Sequence, residues 1–436
     1  GQLLTSGGNS AAPTWTTVSS APTTELVANG SLTANGGVVV NTSGQVEGLS
    51  GAIADIGTRS QWEGGSPDAI DTCKLSDNKY IITYQDENNN EAGTVLVASV
   101  SGTTVTYGTK VVFEGNTTTN TAVCRIDDTT FAILFRTNAG NTVECQIGSV
   151  SGTTITMGTA VDMSLSGTVD DGGMAIGYQQ DVNCLLMFVA NSGNSDKPYV
   201  HTARPSGTTV NKAGNGWVLV ENQTDCHDLN VVENTTDNEL VLTWIATNNQ
   251  NGGKSRTLKC SGASGDHTVT WGQNEWISNQ NQYAGHICYN SDDNKYLYVF
   301  RNQDQSNQLS QCCGTPSNSG TNRTISWTSY SNFYTGAGNW PECAYDATAK
   351  RYLLTYVNDA ADGAWILYQQ NGNSVTADGS HSTFESDSIS GRHKQSNINI
   401  ASGKFVVSYH RAGNTGDSIV RQLATTNLTA GNFIGF

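Results

Sequence analysis

The chain has 436 residues, and its 22 basic against 38 acidic side chains give a formal net charge of -16. This balance, without any run of Lys or Arg, argues against nucleic acid as a partner, because a polyanion would be repelled. No stretch approaches the roughly 18 apolar residues of a membrane-spanning helix, so we expect no membrane insertion. Glycine is abundant (47) and proline scarce (7), which predicts short strands joined by many tight turns.

The N-terminal segment, residues 1–48, is rich in Gly, Ser, Thr and Asn and predicts an extended or β-structured neck or linker. Its one clear strand signal is the run Val38-Val39-Val40. The opening GQLLTSGGNSAAPTW lacks the charged and apolar regions of a signal peptide. Because the chain starts at Gly1, we expect a processed or partial polypeptide.

Residues 55–64 predict a single strand that is separated from its own unit. IGTRSQWEGG from Ile56 matches YGTKVVFEGN from Tyr107, which lies at the end of a repeat unit. The segment therefore resembles an outermost strand with no inner strands before it.

A strand pattern then recurs seven times, each time as a polar turn followed by an apolar run that ends in an aromatic residue. The runs begin with DNKYIITY from Asp77 and close with SGKFVVSY from Ser402, at spacings of 51 to 56 residues. Such runs are typical of strands buried on both faces. The terminal aromatics are Tyr84, Phe135, Phe188, Trp244, Phe300, Tyr356 and Tyr409.

A second turn recurs in the same phase, as in SGTTVTYG from Ser101 and SGTTITMG from Ser151. Each unit therefore contains four antiparallel strands, and repeats of this kind predict a propeller. The last unit lacks a clear final strand, so we expect residues 55–64 to complete it and close the ring without a free edge.

The sequence thus predicts an all-β fold: a seven-bladed β-propeller of four-stranded antiparallel blades over 49–436, closed by an N-terminal strand and preceded by a short extended neck. The predicted blades are approximately 68–117, 118–169, 170–224, 225–281, 282–338, 339–394, and 395–436 together with 55–64.

The ten cysteines follow the repeat more than they suggest a disulfide framework. Cys73, Cys124, Cys288 and Cys343 each precede the repeat aromatic by 11 to 13 residues, which predicts small buried residues on the innermost strands. Metal-binding Cys clusters are absent from the sequence, so we expect no metal site and no cofactor.

Loop variation is concentrated on one face of the predicted ring, which usually marks a binding face. Aromatic rings beside amide side chains suit sugars, because rings stack on sugar C–H faces while hydroxyls take hydrogen bonds. The alternative is that these aromatics fill the gaps between blades. The candidate ligand-binding residues are Trp62, Trp276, Tyr283, His286, Tyr334 and Trp340.

Two enzymatic features are incomplete in this sequence. SGDHTVTW from Ser264 resembles the Asp-box of sialidases, and Arg136 and Arg301 follow the repeat aromatic at equivalent positions. The remaining sialidase signature is missing, and no other catalytic motif is present. We therefore expect no catalytic residues and no enzymatic activity, with a sialidase-like or depolymerising glycosidase as an alternative.

The repeat unit around DNKYIITYQD and GTVLVASVSGTTVTYGTKVVF resembles β-propeller repeats of tail-fibre and virion structural proteins of tailed bacteriophages, over about 55–436. The opening segment and NLTAGNFIGF from Asn427 are similar to segments of such proteins that continue into further domains, so a chain truncated at both ends is expected. The resemblance transfers no functional residue.

The resemblance implies a non-enzymatic virion-surface, extracellular protein that presents a propeller for attachment to a host-surface glycan or protein. Its other expected partners are further virion proteins and, through the neck, two more copies in a homotrimer. The alternative is a glycan-binding propeller module of a secreted or cell-surface bacterial protein.

Overall fold

The computed structural model describes residues 53–423, except 139–140, 223–224, 248–250, 263–266, 320–321 and 390–394, together with four short strands nearer the N-terminus. The chain forms two compact units, residues 1–51 with 424–436 and residues 52–423. The described part contains no α-helix, and its strands all pair in antiparallel fashion, so the predicted all-β class is confirmed. In that part no helix is both long and apolar enough to span a membrane.

The N-terminal unit contributes two antiparallel strand pairs. Strand β1 (Gln2–Thr5) pairs with β2 (Thr14–Thr17), and β3 (Val38–Val40) pairs with β4 (Val46–Gly48). The predicted strand Val38–Val40 is therefore confirmed. The rest of the predicted neck, and the C-terminal segment from Asn427, lie outside the described residues.

The larger unit begins with two strands that pair late in the chain and continues with one nine-stranded sheet. Its first two strands are β5 (Ile53–Ile56) and β6 (Ser60–Glu63). The sheet contains β7 (Pro67–Ser76), β8 (Lys79–Asp86), β9 (Ala92–Ser101), β10 (Thr104–Tyr107), β11 (Val111–Asp127), β12 (Thr130–Thr137), β13 (Thr142–Ser151), β14 (Thr154–Met157) and β15 (Val161–Asp162).

Five separate sheets of four or five strands follow. The first two contain β16 (Val169–Gln179), β17 (Cys184–Asn191), β18 (Lys197–Ser206), β19 (Thr209–Lys212) and β20 (Val218–Leu219), then β21 (Cys226–Asn234), β22 (Glu239–Ala246), β23 (Gly252–Ser261) and β24 (Thr268–Ser278). The next two contain β25 (Gln282–Asn290), β26 (Lys295–Asn302), β27 (Gln308–Ser319), β28 (Asn322–Trp327) and β29 (Ser331–Tyr334), then β30 (Asn339–Asp346), β31 (Arg351–Val357), β32 (Gly363–Asn371), β33 (Ser374–Ala377) and β34 (Ser382–Glu385). The last contains β35 (Gln395–Ala401), β36 (Lys404–Arg411) and β37 (Thr415–Leu423), with β5 and β6.

The prediction of seven four-stranded blades is therefore corrected. Among the described residues five sheets are separate, and one of these five has four strands while the others have five. The predicted blades 68–117 and 118–169 are joined in the nine-stranded sheet. The cause is strand β11, whose 17 residues run without a break. Its first part pairs with β9, and its part from Thr118 onward pairs with β12. The sequence places a boundary at 117/118, where the backbone only changes partner.

The N-terminal segment completes the last sheet, as the sequence predicts, but as the two short strands β5 and β6 and not as one strand over 55–64. Strand β37 pairs with β5, with Arg421 opposite Ile56, and also with β6, with Gly416 opposite Glu63. These bonds join residues more than 350 positions apart and cover the outer edge of the last sheet.

The repeat aromatics form the interior of the larger unit. All seven, from Tyr84 to Tyr409, are buried. Phe188 and Trp244 pack in one cluster although they come from successive sheets. The turns have the chemistry that the sequence implies, since Asn78 (φ 60°) and Gly102 (φ 59°) are left-handed, a conformation that Asn and Gly tolerate best.

Candidate functional site

A central cavity of about 270 Å³ lies where inner strands from all six described sheets of the larger unit meet. Seven strands line it, namely β7, β11, β16, β21, β25, β30 and β35. Each strand contributes three to four successive residues, so the cavity wall is built from equivalent positions of the repeat.

A bulge recurs in several of these inner strands. The antiparallel register shifts there, and one residue per bulge takes a left-handed conformation: Ala69, Asp228, Ala284 and Trp340, with φ between 48° and 52°. Two residues later each strand places a polar side chain on the cavity wall. These polar residues are Asp71, Asn230, His286 and Glu342.

These polar side chains bind the backbone of the next inner strand. Asp71 accepts the N–H of Val123 at 2.8 Å, and Glu342 accepts the N–H of Asn397 at 2.8 Å. Asn230 donates through Nδ2 to the carbonyl of Gly285 at 2.7 Å. The cavity residues therefore connect neighbouring sheets as well as lining the space between them.

Between the first and last sheets of the ring, the connection is made by two hydroxyls. The side-chain oxygens of Thr72 and Ser396 are 2.7 Å apart. His286, like Asp71 and Glu342, binds the backbone of the next inner strand, since the N–H of Cys343 donates to its Nδ1 at 3.3 Å. This contact requires a neutral imidazole with an unprotonated Nδ1.

Desolvation shifts the titration of the ionisable groups in the wall. Burial raises the pKa of Asp71 to about 7, although hydrogen bonds from Val123 and Thr72 oppose the shift. Burial also raises the pKa of Glu342 well above its ordinary value, and the negative charge of Asp71 adds to this effect. Burial lowers the pKa of His286 to about 4. Near neutral pH the wall therefore holds a neutral imidazole and carboxyl groups able to carry a proton.

The wall mixes polar and apolar groups. Strand β16 contributes only the apolar Met174, Ala175 and Ile176. Each of the other six strands contributes at least one polar and one apolar residue, as with Asp71 beside Ile70. Among the described residues lining the cavity there is no Lys or Arg. A ligand with both apolar and hydroxyl-bearing faces fits this distribution, whereas an anion does not.

Three of the six predicted site residues come together at this cavity. His286 and Trp340 line it, and the ring of Trp340 lies 5.2 Å from that of Tyr283. Tyr283 in turn lies 6.0 Å from the ring of His227, and the guanidinium of Arg301 lies 5.8 Å from the Tyr283 ring centre. These rings form a short aromatic row beside the cavity.

The other three predicted residues are elsewhere. Trp62 is buried against Tyr84, at a ring separation of 4.8 Å, so for this residue the gap-filling alternative is correct. Trp276 is exposed on the outer strand β24, with the Lys254 ammonium 4.7 Å from its ring centre. Tyr334 lies on the outer strand β29 and donates to Asp359 at 2.7 Å.

Sequence reasoning missed Asp71, Asn230 and Glu342. A usable signal exists, because each precedes its repeat aromatic by nearly the same number of residues as His286 does. Alignment of the units on that aromatic would have placed all four in one ring of positions.

Among the described residues no three His, Cys, Asp or Glu side chains are grouped to hold a metal ion. The Asp-box-like motif is only partly covered, since Ser264 and Asp266 lie outside the described residues. Arg136, one of the two arginines at equivalent positions, donates to the carbonyl of Val169 at 3.1 Å.

Solved structures with a similar fold include a β-propeller domain. The Cps50 (Swd1) β-propeller domain from Myceliophteria thermophila aligns with TM-score 0.50 and 9% identity, over 84% of this chain and 98% of that one. The periplasmic gluconolactonase PpgL from Pseudomonas aeruginosa aligns with TM-score 0.50 and 11% identity, over 71% and 84%. A putative 6-phosphogluconolactonase from Bacteroides uniformis gives TM-score 0.50 and 11% identity, over 71% and 83%. The larger unit is thus a β-propeller of antiparallel sheets.

At these identities the likeness concerns the fold. A scan against protein-family models and a search of curated proteins found no match. The resemblance to phage tail-fibre proteins, and the virion partners and location that it implies, stay predictions.

The comparisons overturn the prediction that the chain is not an enzyme. That prediction depended on missing sequence motifs and on a non-catalytic interpretation of the propeller. Two of the similar structures are named as a gluconolactonase and a putative 6-phosphogluconolactonase, so the fold itself gives no argument against catalysis.

Proposed function

We propose that the chain is a ring of seven blades whose central cavity binds a neutral, polyhydroxylated ligand of the carbohydrate class. The count of seven treats the nine-stranded sheet as two blades that share β11. It is supported by the seven inner strands that line the cavity.

The observation that carries this proposal is the mixed composition of the cavity wall. A sugar ring presents C–H faces to apolar surface and hydroxyls to amides and carboxyls, and six of the seven lining strands offer groups of both kinds. The carboxyls Asp71 and Glu342 without a lining cation favour a neutral over an anionic ligand. The volume of about 270 Å³ suits one sugar ring.

The aromatic row supplies an extension of this site. Tyr283 and Trp340 are partly exposed beside the cavity, and their rings offer stacking surface for a second sugar unit. A glycan is one of the two receptor classes, glycan or protein, that the sequence predicts for attachment to a host surface.

Binding is tested on an array of neutral and acidic glycans, followed by calorimetric titration of the best ligand. We expect neutral glycans to bind and sialylated or uronic-acid glycans to bind at least tenfold more weakly. Tyr283→Ala and Trp340→Ala should each weaken binding about tenfold, or about 1.4 kcal/mol. Trp276→Ala is the matched control and should leave affinity unchanged. Preferential binding of acidic glycans, or equal effects of all three variants, would refute the proposal.

A second candidate is hydrolysis of a neutral sugar lactone in the same cavity. A carboxyl group with a pKa of about 7, as at Asp71, can donate a proton at neutral pH to the oxygen that leaves when water attacks the ester. The named activities of two similar structures are compatible with this reaction. The absence of a lining cation among the described residues favours an unphosphorylated lactone.

This candidate is tested by following acid release from gluconolactone in a pH-stat, against the spontaneous rate. We expect acceleration that falls at least tenfold in Asp71→Asn and Glu342→Gln, and no acceleration with the 6-phosphorylated lactone. Equal rates with and without protein would exclude it without affecting the binding proposal.

A further inference from the structure

Two cysteines from neighbouring sheets meet in the interior of the larger unit. Cys184 begins strand β17, and Cys260 lies near the end of β23. Their sulfur atoms are 2.7 Å apart, and both side chains are buried. A movement of less than about 1 Å would bring them to the S–S bond length of about 2.05 Å.

The backbone around this pair is fixed by one side chain. Gln179 lies directly opposite Cys184 in the ladder between β16 and β17. Its Oε1 accepts the N–H of Cys260 at 2.7 Å, and its Nε2 donates to the Cys260 carbonyl at 3.4 Å. Gln179 is itself fully buried. Its two hydrogen bonds hold Cys260 of β23 beside β16, at the position where β16 pairs with Cys184 of β17.

We propose that Cys184 and Cys260 form an inter-sheet disulfide when the protein folds under oxidising conditions. The reaction is thiol–disulfide exchange with a small-molecule disulfide. One protein thiolate attacks that disulfide and releases one thiol; the second protein thiolate then displaces the other. Two protein thiols lose two protons and two electrons, and the small disulfide gains them as two thiols.

Two other cysteine pairs provide comparisons. Cys312 and Cys313 are consecutive on one strand, and they pack into different clusters on its two faces. They are unsuited to bond with each other. Cys288 and Cys343 also come from neighbouring sheets, share a core cluster and are hydrogen-bonded through their side chains, so they are the internal comparison for the test.

Burial decides when the bond can form. Burial raises the pKa of the Cys184 thiol far above its ordinary value, so the thiolate is scarce in the folded protein. Oxidation is therefore expected during folding, or slowly through local opening, and small reagents should react poorly with the folded reduced protein.

The test begins with protein that is fully reduced in denaturant and refolded with a mixture of oxidised and reduced glutathione. After alkylation under denaturing conditions, we expect a species with eight of the ten cysteines alkylated, and a peptide map that links Cys184 to Cys260. The oxidised protein should melt at a higher Tm than the reduced protein. Protein secreted into an oxidising compartment gives a second, independent sample for the same map.

Variants separate this bond from other oxidation. Cys184→Ser and Cys260→Ser should each remove both the cross-link and the rise in Tm, whereas Cys312→Ser should retain both. Alkylation of all ten cysteines in correctly folded protein from both samples would overturn the proposal. A map that links only Cys288 to Cys343 would also overturn it.

Discussion

Asp71 and Glu342 occupy equivalent places in two inner strands and make the same contact there. Each carboxylate lies opposite the residue before a repeat aromatic, and each accepts one backbone N–H from the next inner strand at 2.8 Å. The charge of Asp71 also raises the pKa of Glu342, so the two groups interact within one cavity. Both residues are therefore part of the ring's construction and of its candidate ligand site.

Asp71→Asn should remove the part of the protein's loss of stability that comes from ionisation of Asp71 as pH rises. In the folded protein burial raises the pKa of Asp71 from 3.8 to about 7, so between these values the unfolded chain is ionised while the folded chain keeps the proton. The folded state then binds more protons, and this group's contribution makes stability fall as pH rises from about 4 to about 7. Asn keeps one oxygen to accept the Val123 N–H, loses the acceptor for the Thr72 N–H at every pH, and does not titrate.

Urea denaturation at pH 4, 5.5 and 7.5 measures this effect. We expect the free energy of unfolding of the variant to rise relative to that of the wild type as pH rises across this range. A stability difference that is the same at all three pH values would contradict the assignment.

His286 should titrate in the opposite sense. Burial lowers its pKa from 6.5 to about 4, so between these values the unfolded chain binds the extra proton. Its contribution to stability is therefore present above about 6.5 and is lost as pH falls toward 4. An NMR titration of the imidazoles, with His286→Gln to assign the signal, should show its inflection below pH 5. An inflection near 6.5 would show that the imidazole is solvated.

Trp62 and Trp276 form a matched pair for separating packing from surface exposure. Trp62 is 5% exposed and packs on Tyr84 and Gly416, whereas Trp276 is 48% exposed. Trp62→Ala should cost about 3–5 kcal/mol of unfolding free energy, because it opens a cavity where the N-terminal strand closes the last sheet. Trp276→Ala should change it by about 0.5 kcal/mol or less. Chemical denaturation checks both, and similar losses would contradict the burial of Trp62 between the last sheet and Tyr84 of β8.

The periodic part of this fold was accessible from the sequence, and the non-periodic part was not. The repeat aromatics and the turn residues Asn78 and Gly102 follow local rules, so their strands, burial and backbone conformations were predictable. In the sequence, Trp62 is flanked by polar residues, as a ligand-binding tryptophan would be. Only the pairing of β6 with β37, across most of the chain, shows that it is buried. Similarly, nothing local in β11 marks the residue at which it changes partner.

The candidate site was also predicted only in part, because some of its residues depend on backbone geometry that the sequence does not mark. Tyr283, His286 and Trp340 were found as aromatics and a histidine in variable loops, and they do meet. Asp71 and Glu342 were missed because a carboxylate in an acidic chain is usually solvated. Their importance comes from a bulge that turns them toward the cavity, and a bulge leaves no residue-type signature at Ala69 or Trp340.

Arg323 and Glu239 form a buried ion pair that should be costly to break. Arg323 Nε lies 3.1 Å from Glu239 Oε2, and the glutamate side chain is fully buried between two sheets. Arg323→Met leaves that carboxylate without its counter-ion and should cost about 3–5 kcal/mol. Burial raises the pKa of Glu239 to about 7. In acid the carboxyl is therefore protonated and needs no counter-ion, so the loss of unfolding free energy in Arg323→Met should be larger at pH 8 than at pH 5.

The double variant Arg323→Met with Glu239→Leu should recover most of the stability, because it buries no charge. Lys74→Met, which breaks the exposed pair with Asp77, is the control and should change stability by about 1 kcal/mol or less. Urea denaturation at both pH values measures all of these, and a loss for Arg323→Met that is no greater than that of the control would show that Glu239 is neutral or hydrated in the folded protein.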